Sequence, residues 1–238
     1  MNIIKKNLII NAGEDTSLGG DQEWLRAGGY KDIAEYGCGV VAACNLLICY
    51  KGLTHEDRDN TKDGFIELVK YLYKNYINIP DIPFIKGLTG FSLTRGLNRY
   101  FRDNKIPLRT KWGKSYKTLP LISKTLKAGL PVILGIGPEI TLISFLKKLK
   151  SFFVLKEALS FTDDSGGVCI TDILTGEKKQ VCAHYVTVYE IIEEASDTTL
   201  LISSWGRGYK LSYNEFIQYQ KRTVPGFLLS NIVKLKML

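Results

Sequence analysis

Cys38 stands in the run Glu35-Tyr36-Gly37-Cys38-Gly39-Val40-Val41-Ala42-Ala43-Cys44-Asn45-Leu46-Leu47, where a glycine turn feeds directly into an almost wholly apolar stretch. A thiol at a helix N-terminus feels the positive end of the helix dipole and several free backbone N–H groups. Its pKa falls, and the thiolate becomes accessible at neutral pH. The glycines on both sides leave room for a substrate carbonyl. This is the setting of a thiol nucleophile attacking an acyl carbon, and such a nucleophile needs a proton acceptor. The chain has only two histidines, His55 and His184. His55 lies in Thr54-His55-Glu56-Asp57-Arg58-Asp59-Asn60, a polar stretch that reads as a solvated loop or helix start. His184 opens His184-Tyr185-Val186-Thr187-Val188-Tyr189-Glu190-Ile191-Ile192, a β-branched and aromatic run typical of a core strand. A histidine at the mouth of a rigid strand is held in one orientation, as general acid–base transfer requires.

The elements that position this pair divide the chain in two. The stretch from Cys38 to about Tyr50 reads as a helix apolar all round, hence central and buried, with Asn45 its only strongly polar residue. Thr61 to about Tyr76 and Thr89 to Asn104 repeat apolar residues at helical spacing, the first stopped by Pro80 and Pro83. Residues 12–36 are rich in glycine and polar side chains and read as an ordered loop with a helical turn near Gln22. After Pro107 the pattern turns to strands at Leu108–Trp112 and Val132–Ile136 around a helix from Leu119 to Lys127. Val168–Ile173 and Lys179–Ile192 read as a hairpin on Thr175-Gly176, which sets Cys169 opposite Cys182. Strands at Thr199–Ser204 and Arg207–Leu211, a short helix at Tyr213–Lys221 and a strand at Gly226–Lys236 complete the reading. The fold class is α+β: one domain over 1–238, with 1–106 mainly helical and 107–238 mainly β.

Four motifs in order carry a family resemblance: Gly37-Cys38-Gly39 opening a helix, Leu126-Lys127-Ala128-Gly129-Leu130-Pro131-Val132-Ile133, Ala183-His184-Tyr185-Val186-Thr187-Val188, and Ser204-Trp205-Gly206-Arg207-Gly208-Tyr209 followed by Glu215-Phe216. Together they resemble the papain-like superfamily of cysteine peptidases, and within it the bacterial double-glycine, bacteriocin-processing peptidases. The resemblance implies a papain-like fold with a cleft between the helical and β lobes. It implies a hydrolase in which the Cys38 thiol attacks a peptide or amide bond, His184 serves as acid and base, and Trp205 flanks the imidazole. Tyr36, Gly37 and Trp24 are then expected along the cleft. The family's third residue is Asn or Asp, and here that place holds serine. Alignment on papain-like Asn-Ser-Trp-Gly selects Ser203, and alignment on the Asp-Pro-x-x-Gly pattern selects Ser204. The family's oxyanion-hole Gln falls at Asp32, whose carboxylate would repel the oxyanion, so another donor is expected, with Gln22 on the preceding loop the candidate. Leu18-Gly19-Gly20 is similar to the double-glycine sites that these peptidases cleave. Two other readings keep the same residues: an acyltransferase or transglutaminase-like enzyme, and a catalytically degenerate peptide-binding module.

Composition narrows the partners. The 238-residue chain is 45% hydrophobic and 24% charged, as in ordinary globular proteins. Its net charge of +8 comes from Lys and Arg scattered along the chain, which argues against a dedicated nucleic-acid surface. Five cysteines without paired CxxC spacing fit neither a zinc site nor a disulfide framework, and no metal or organic cofactor is expected. Gly135-Ile136-Gly137-Pro138 lacks the third glycine of a dinucleotide fingerprint. Met1–Asn11 has no continuous signal core, and no transmembrane span is apparent, so a cytoplasmic protein acting on a peptide or protein substrate is expected, without membrane association. Leu142–Phe153 has the spacing of a basic amphipathic helix, of the kind that lies on an anionic membrane or packs on its own domain, and the second reading is favoured.

Overall fold

The computed structural model describes residues 2–54, 60–79, 87–113, 118–137, 166–194, 197–222 and 231–237. His55, the Leu142–Phe153 segment and the residues before Asn231 read as part of the last strand lie outside them. Helices come first, and their ends are written in side chains. After a short helix α1 (Ile3–Leu8) and a small hairpin of β1 (Ile9–Ala12) and β2 (Asp15–Leu18), α2 spans Lys31–Tyr36 and α3 spans Cys38–Thr54. The Thr61 hydroxyl accepts from the Gly64 amide at 3.1 Å and starts α4 (Lys62–Asn75); Thr89 does the same for Ser92, at 3.1 Å, and starts α5 (Gly90–Asp103). Each cap satisfies one of the orphan donors of a first turn, worth about 1 kcal/mol. α3 is buried at every position from Gly39 to Tyr50, as an apolar helix in water must be.

The other half is a sheet: β3 (Leu108–Gly113), β4 (Val132–Ile136), β5 (Val168–Asp172), β6 (Lys178–Val181), β7 (His184–Glu193), β8 (Thr198–Ser204), β9 (Arg207–Ser212) and β10 (Asn231–Met237). These eight strands pair antiparallel in the order β3-β10-β4-β7-β8-β9-β5-β6. Helices cover both faces. Ile133 of β4 and Tyr189 of β7 join the core built around α1, α3, α4 and α5, while Val132, Leu134 and Val188 pack with α6 (Thr118–Lys127) and α7 (Tyr213–Arg222) through Ile122 and Phe216. The strand alternation sends neighbouring side chains into two separate cores. The molecule is thus mixed α and β, and among the described residues no helix is long and apolar enough to cross a membrane.

The expected run Lys179–Ile192 is not one strand. It splits into β6 and β7 at Cys182-Ala183, where Ala183 takes φ 48° and donates its N–H to Gly137 O at 3.2 Å. The hairpin register differs as well: Val168 pairs with Val181 and Cys169 with Gln180, so Cys169 does not face Cys182. The reason is Asp172, whose carboxylate accepts from the amides of Leu174 (2.8 Å) and Thr175 (3.0 Å) and builds a wider loop than a two-residue turn on Thr175-Gly176. The split has a geometric consequence. β6 and β7 stand four strand spacings apart in the sheet, about 19 Å if it were flat, yet the chain between Val181 and His184 reaches at most about 11 Å. The sheet is therefore strongly curled, which brings its β6 edge round to the start of β7.

Candidate functional site

Cys38 begins α3 immediately after the end of α2. The Gly37 N–H closes α2 on Ile33 O at 2.8 Å, and Gly37 O accepts from Val41 at 3.0 Å to open α3. A Cβ on Gly37 would come within 2.3 Å of Ile33 O, and one on Gly39 within 3.1 Å of the Leu88 and Tyr185 side chains. Gly37 is therefore required by the backbone of α2, whereas a Cβ on Gly39 would only press on two side chains; these contacts are with the protein itself, beside the room for a substrate carbonyl expected from the sequence.

His184 opens β7 and is 8% exposed. Its Nε2 lies 2.7 Å from Ser204 Oγ at the end of β8. Its ring is stacked on Trp205, with centroids 4.3 Å apart and planes 8° from parallel. Trp205 (φ 45°) and Gly206 (φ 70°) form the tight turn between Ser204 and Arg207 of the β8–β9 hairpin. Left-handed backbone costs a side-chain-bearing residue about 1–2 kcal/mol, and such turns favour Asn-Gly. A tryptophan held there against that preference, with its ring on an imidazole, is the kind of strain found at functional sites. The Lys179 ammonium sits over the same indole, 3.8 Å from the ring centroid.

Cys38 and His184 line one small open recess, with a cavity volume of about 10 Å³, together with Gln22, Asn45, Ser204 and Trp205. Ser203 also reaches it, but its hydroxyl donates to Leu18 O at 2.6 Å and so ties down the loop before Gln22. Ser204 is the serine on the imidazole. Gln22, in a 3-10 turn over Gln22–Leu25, donates Nε2 to Ala34 O at 2.8 Å. An amide nitrogen carries two N–H groups, and the bond to Ala34 O uses one of them. Asp32 is exposed on α2 and is absent from the recess lining, as are Tyr36 and Gly37. Trp24, expected along the cleft, packs edge-on against Phe65 at 6.0 Å. Leu18-Gly19-Gly20 is built into the scaffold: Gly19 N donates to Leu8 O, and Gly206 N to Gly20 O.

Burial governs the electrostatics. It pushes the Cys38 thiol up from its ordinary value, against the pull of the backbone amides of Tyr185, Gly39 and Cys38 itself. Burial, and then the Lys179 charge, bring His184 down to about 3. The resting pair is a neutral thiol and a neutral imidazole, in place of the thiolate expected from the helix dipole alone. Desolvation of a charge outweighs a terminal dipole that is worth about 1 kcal/mol. When Nε2–H donates to Ser204, Nδ1 keeps its lone pair and is the ring nitrogen that can accept a proton.

Three polar residues of the recess lining, besides the apolar Val41 and Ala42, escaped the sequence reading as site residues. Asn45 left a signal, one polar side chain in an apolar helix, whereas Thr187 and Tyr185 left none, since both fit an ordinary β-strand. The Tyr185 hydroxyl donates to Leu88 O at 3.1 Å, beside Gly39. Compared with known proteins, the chain matches no family model, no curated protein sequence and no solved structure.

Proposed function

We propose that the protein is a papain-like cysteine hydrolase that cleaves a peptide or amide bond. The observation that carries this reading is the convergence on one recess of a helix-capping cysteine and a histidine whose Nε2 is held by Ser204 and whose ring is stacked on Trp205. In the reaction, Cys38 Sγ attacks the carbonyl carbon as its proton passes to His184, and the negative charge on the carbonyl oxygen is met by the second Gln22 N–H and the Cys38 backbone amide. His184 then gives its proton to the leaving amine, and a thioester remains on Cys38. Water, deprotonated by His184, attacks the thioester and releases the acid and the thiol. The neutral resting pair suits this sequence, because the proton moves only as the carbon–sulfur bond forms.

The test is acylation of the purified protein with p-nitrophenyl acetate, followed by mass spectrometry. Expected are a burst of p-nitrophenolate, one acetyl group on Cys38, loss of both in Cys38→Ala and His184→Ala, and decay of the thioester in water. An acetyl group that passes to added glycinamide faster than to water would replace hydrolase with acyltransferase. Cys38 that is not acylated, or is acylated equally without His184, would leave a peptide-binding module and end the enzyme reading.

A further inference from the structure

We infer that Asn45 is a positioning residue that holds the loop bearing Gln22, and so sets the oxyanion donor over Cys38; the inference rests on the hydrolase reading above. Asn45 lies seven residues after Cys38 on α3, two turns on and hence on the same helix face. It is 1% exposed in a stretch that is otherwise apolar. An amide there is costly unless bonded, and a leucine would fill such a position without that demand.

Both ends of the side chain are used. Nδ2 donates to Thr187 Oγ1 at 3.1 Å, and Oδ1 accepts from the Gly20 backbone amide at 2.9 Å. Thr187 sits three residues along β7 from His184, and Gly20 sits two residues before Gln22. One side chain therefore joins the helix of the nucleophile, the strand of the base and the loop of the oxyanion donor. The loop has little freedom elsewhere: a Cβ on Gly19 (φ 75°) would lie 2.8 Å from Asn45 Nδ2, and one on Gly20 would fall inside the Phe65 ring. Without the Asn45 acceptor the Gly20 amide is orphaned and the loop shifts, and a misplacement of about 1 Å at a reacting centre costs about 100-fold in rate.

Two reagents separate this role from general support of the site. Iodoacetamide alkylates Cys38 by displacement at a saturated carbon: the carbon–sulfur bond forms, iodide leaves, the thiol proton goes to His184, and no oxyanion develops. p-Nitrophenyl acetate needs the same thiol and base but passes through an oxyanion. In Asn45→Leu we expect acylation to fall about 10-fold or more, in line with loss of an oxyanion donor, and alkylation to stay within about two-fold. Gln22→Ala should show the same split, and the double variant should be no worse than the more damaged single one. Should Asn45→Leu fail to fold by circular dichroism, Thr187→Val, which frees the orientation of the Asn45 amide, should show a smaller loss of acylation with alkylation unchanged. Parallel losses of acylation and alkylation, losses that multiply in the double variant, or an unchanged ratio in Thr187→Val would each overturn the role. Wild-type protein that is alkylated but never acylated would refute the hydrolase reading itself, before any Asn45 variant is compared.

Discussion

Stability should fall as pH drops below the ordinary histidine range, and His184 should be a main cause. Its folded pKa is lowered from 6.5 to about 3. Between those values the unfolded chain binds a proton that the folded chain refuses, so folding stability rises with pH through that window and is lost as pH falls. Each pH unit well inside the window is worth about 1.4 kcal/mol. Integrated from about pH 7.5 down to about pH 5, above the range where most carboxylates titrate, the His184 contribution is about 2 kcal/mol. Urea denaturation followed by tryptophan fluorescence at constant ionic strength measures it, with His184→Gln as the comparison. The glutamine does not titrate and still offers an amide to Ser204, so any contribution from His55 or carboxylates is common to both proteins. The wild-type curve should be steeper by that amount. Parallel curves would refute the burial argument, and with it the neutral resting pair and the proton transfer built on it.

Two further substitutions probe the imidazole's surroundings. Ser204→Ala leaves Nε2 buried without its hydroxyl partner and removes the bias on the tautomer; it should cost about 1–3 kcal/mol in urea denaturation and slow Cys38 acylation about 10-fold or more. Trp205→Asn and Trp205→Ala both strip the ring from His184 and should lose acylation equally. Asparagine tolerates the left-handed backbone at φ 45° better than alanine, so Trp205→Asn should be the more stable of the two by about 0.5–1 kcal/mol; equal stability would mean that the turn is not strained.

Local signals carried much of this protein in one dimension. Thr61 and Thr89 announce α4 and α5 because a cap bonds within its own first turn. The apolar run after Cys38, interrupted only by Asn45, can only be a central helix, and Val132–Ile136 only a buried strand. Cys38 and His184 were legible by scarcity and context, and the structure brings them to one recess. What the tertiary structure alone decided depends on groups far apart in the chain. The curl of the sheet follows from pairing β6 and β7 with different neighbours, and the choice between Ser203 and Ser204 follows from where Leu18 and His184 lie across β8. Gln22 reaches the recess while Asp32 faces solvent because two segments, around Gly20 and Ala34, are anchored by contacts the sequence does not display. The protonation of the pair is decided there too: a helix dipole can be read from the residues after Cys38, but the desolvation that overrides it is the summed exclusion of water by α3, β7, β8 and the loop before Gln22, and no stretch of sequence contains that sum.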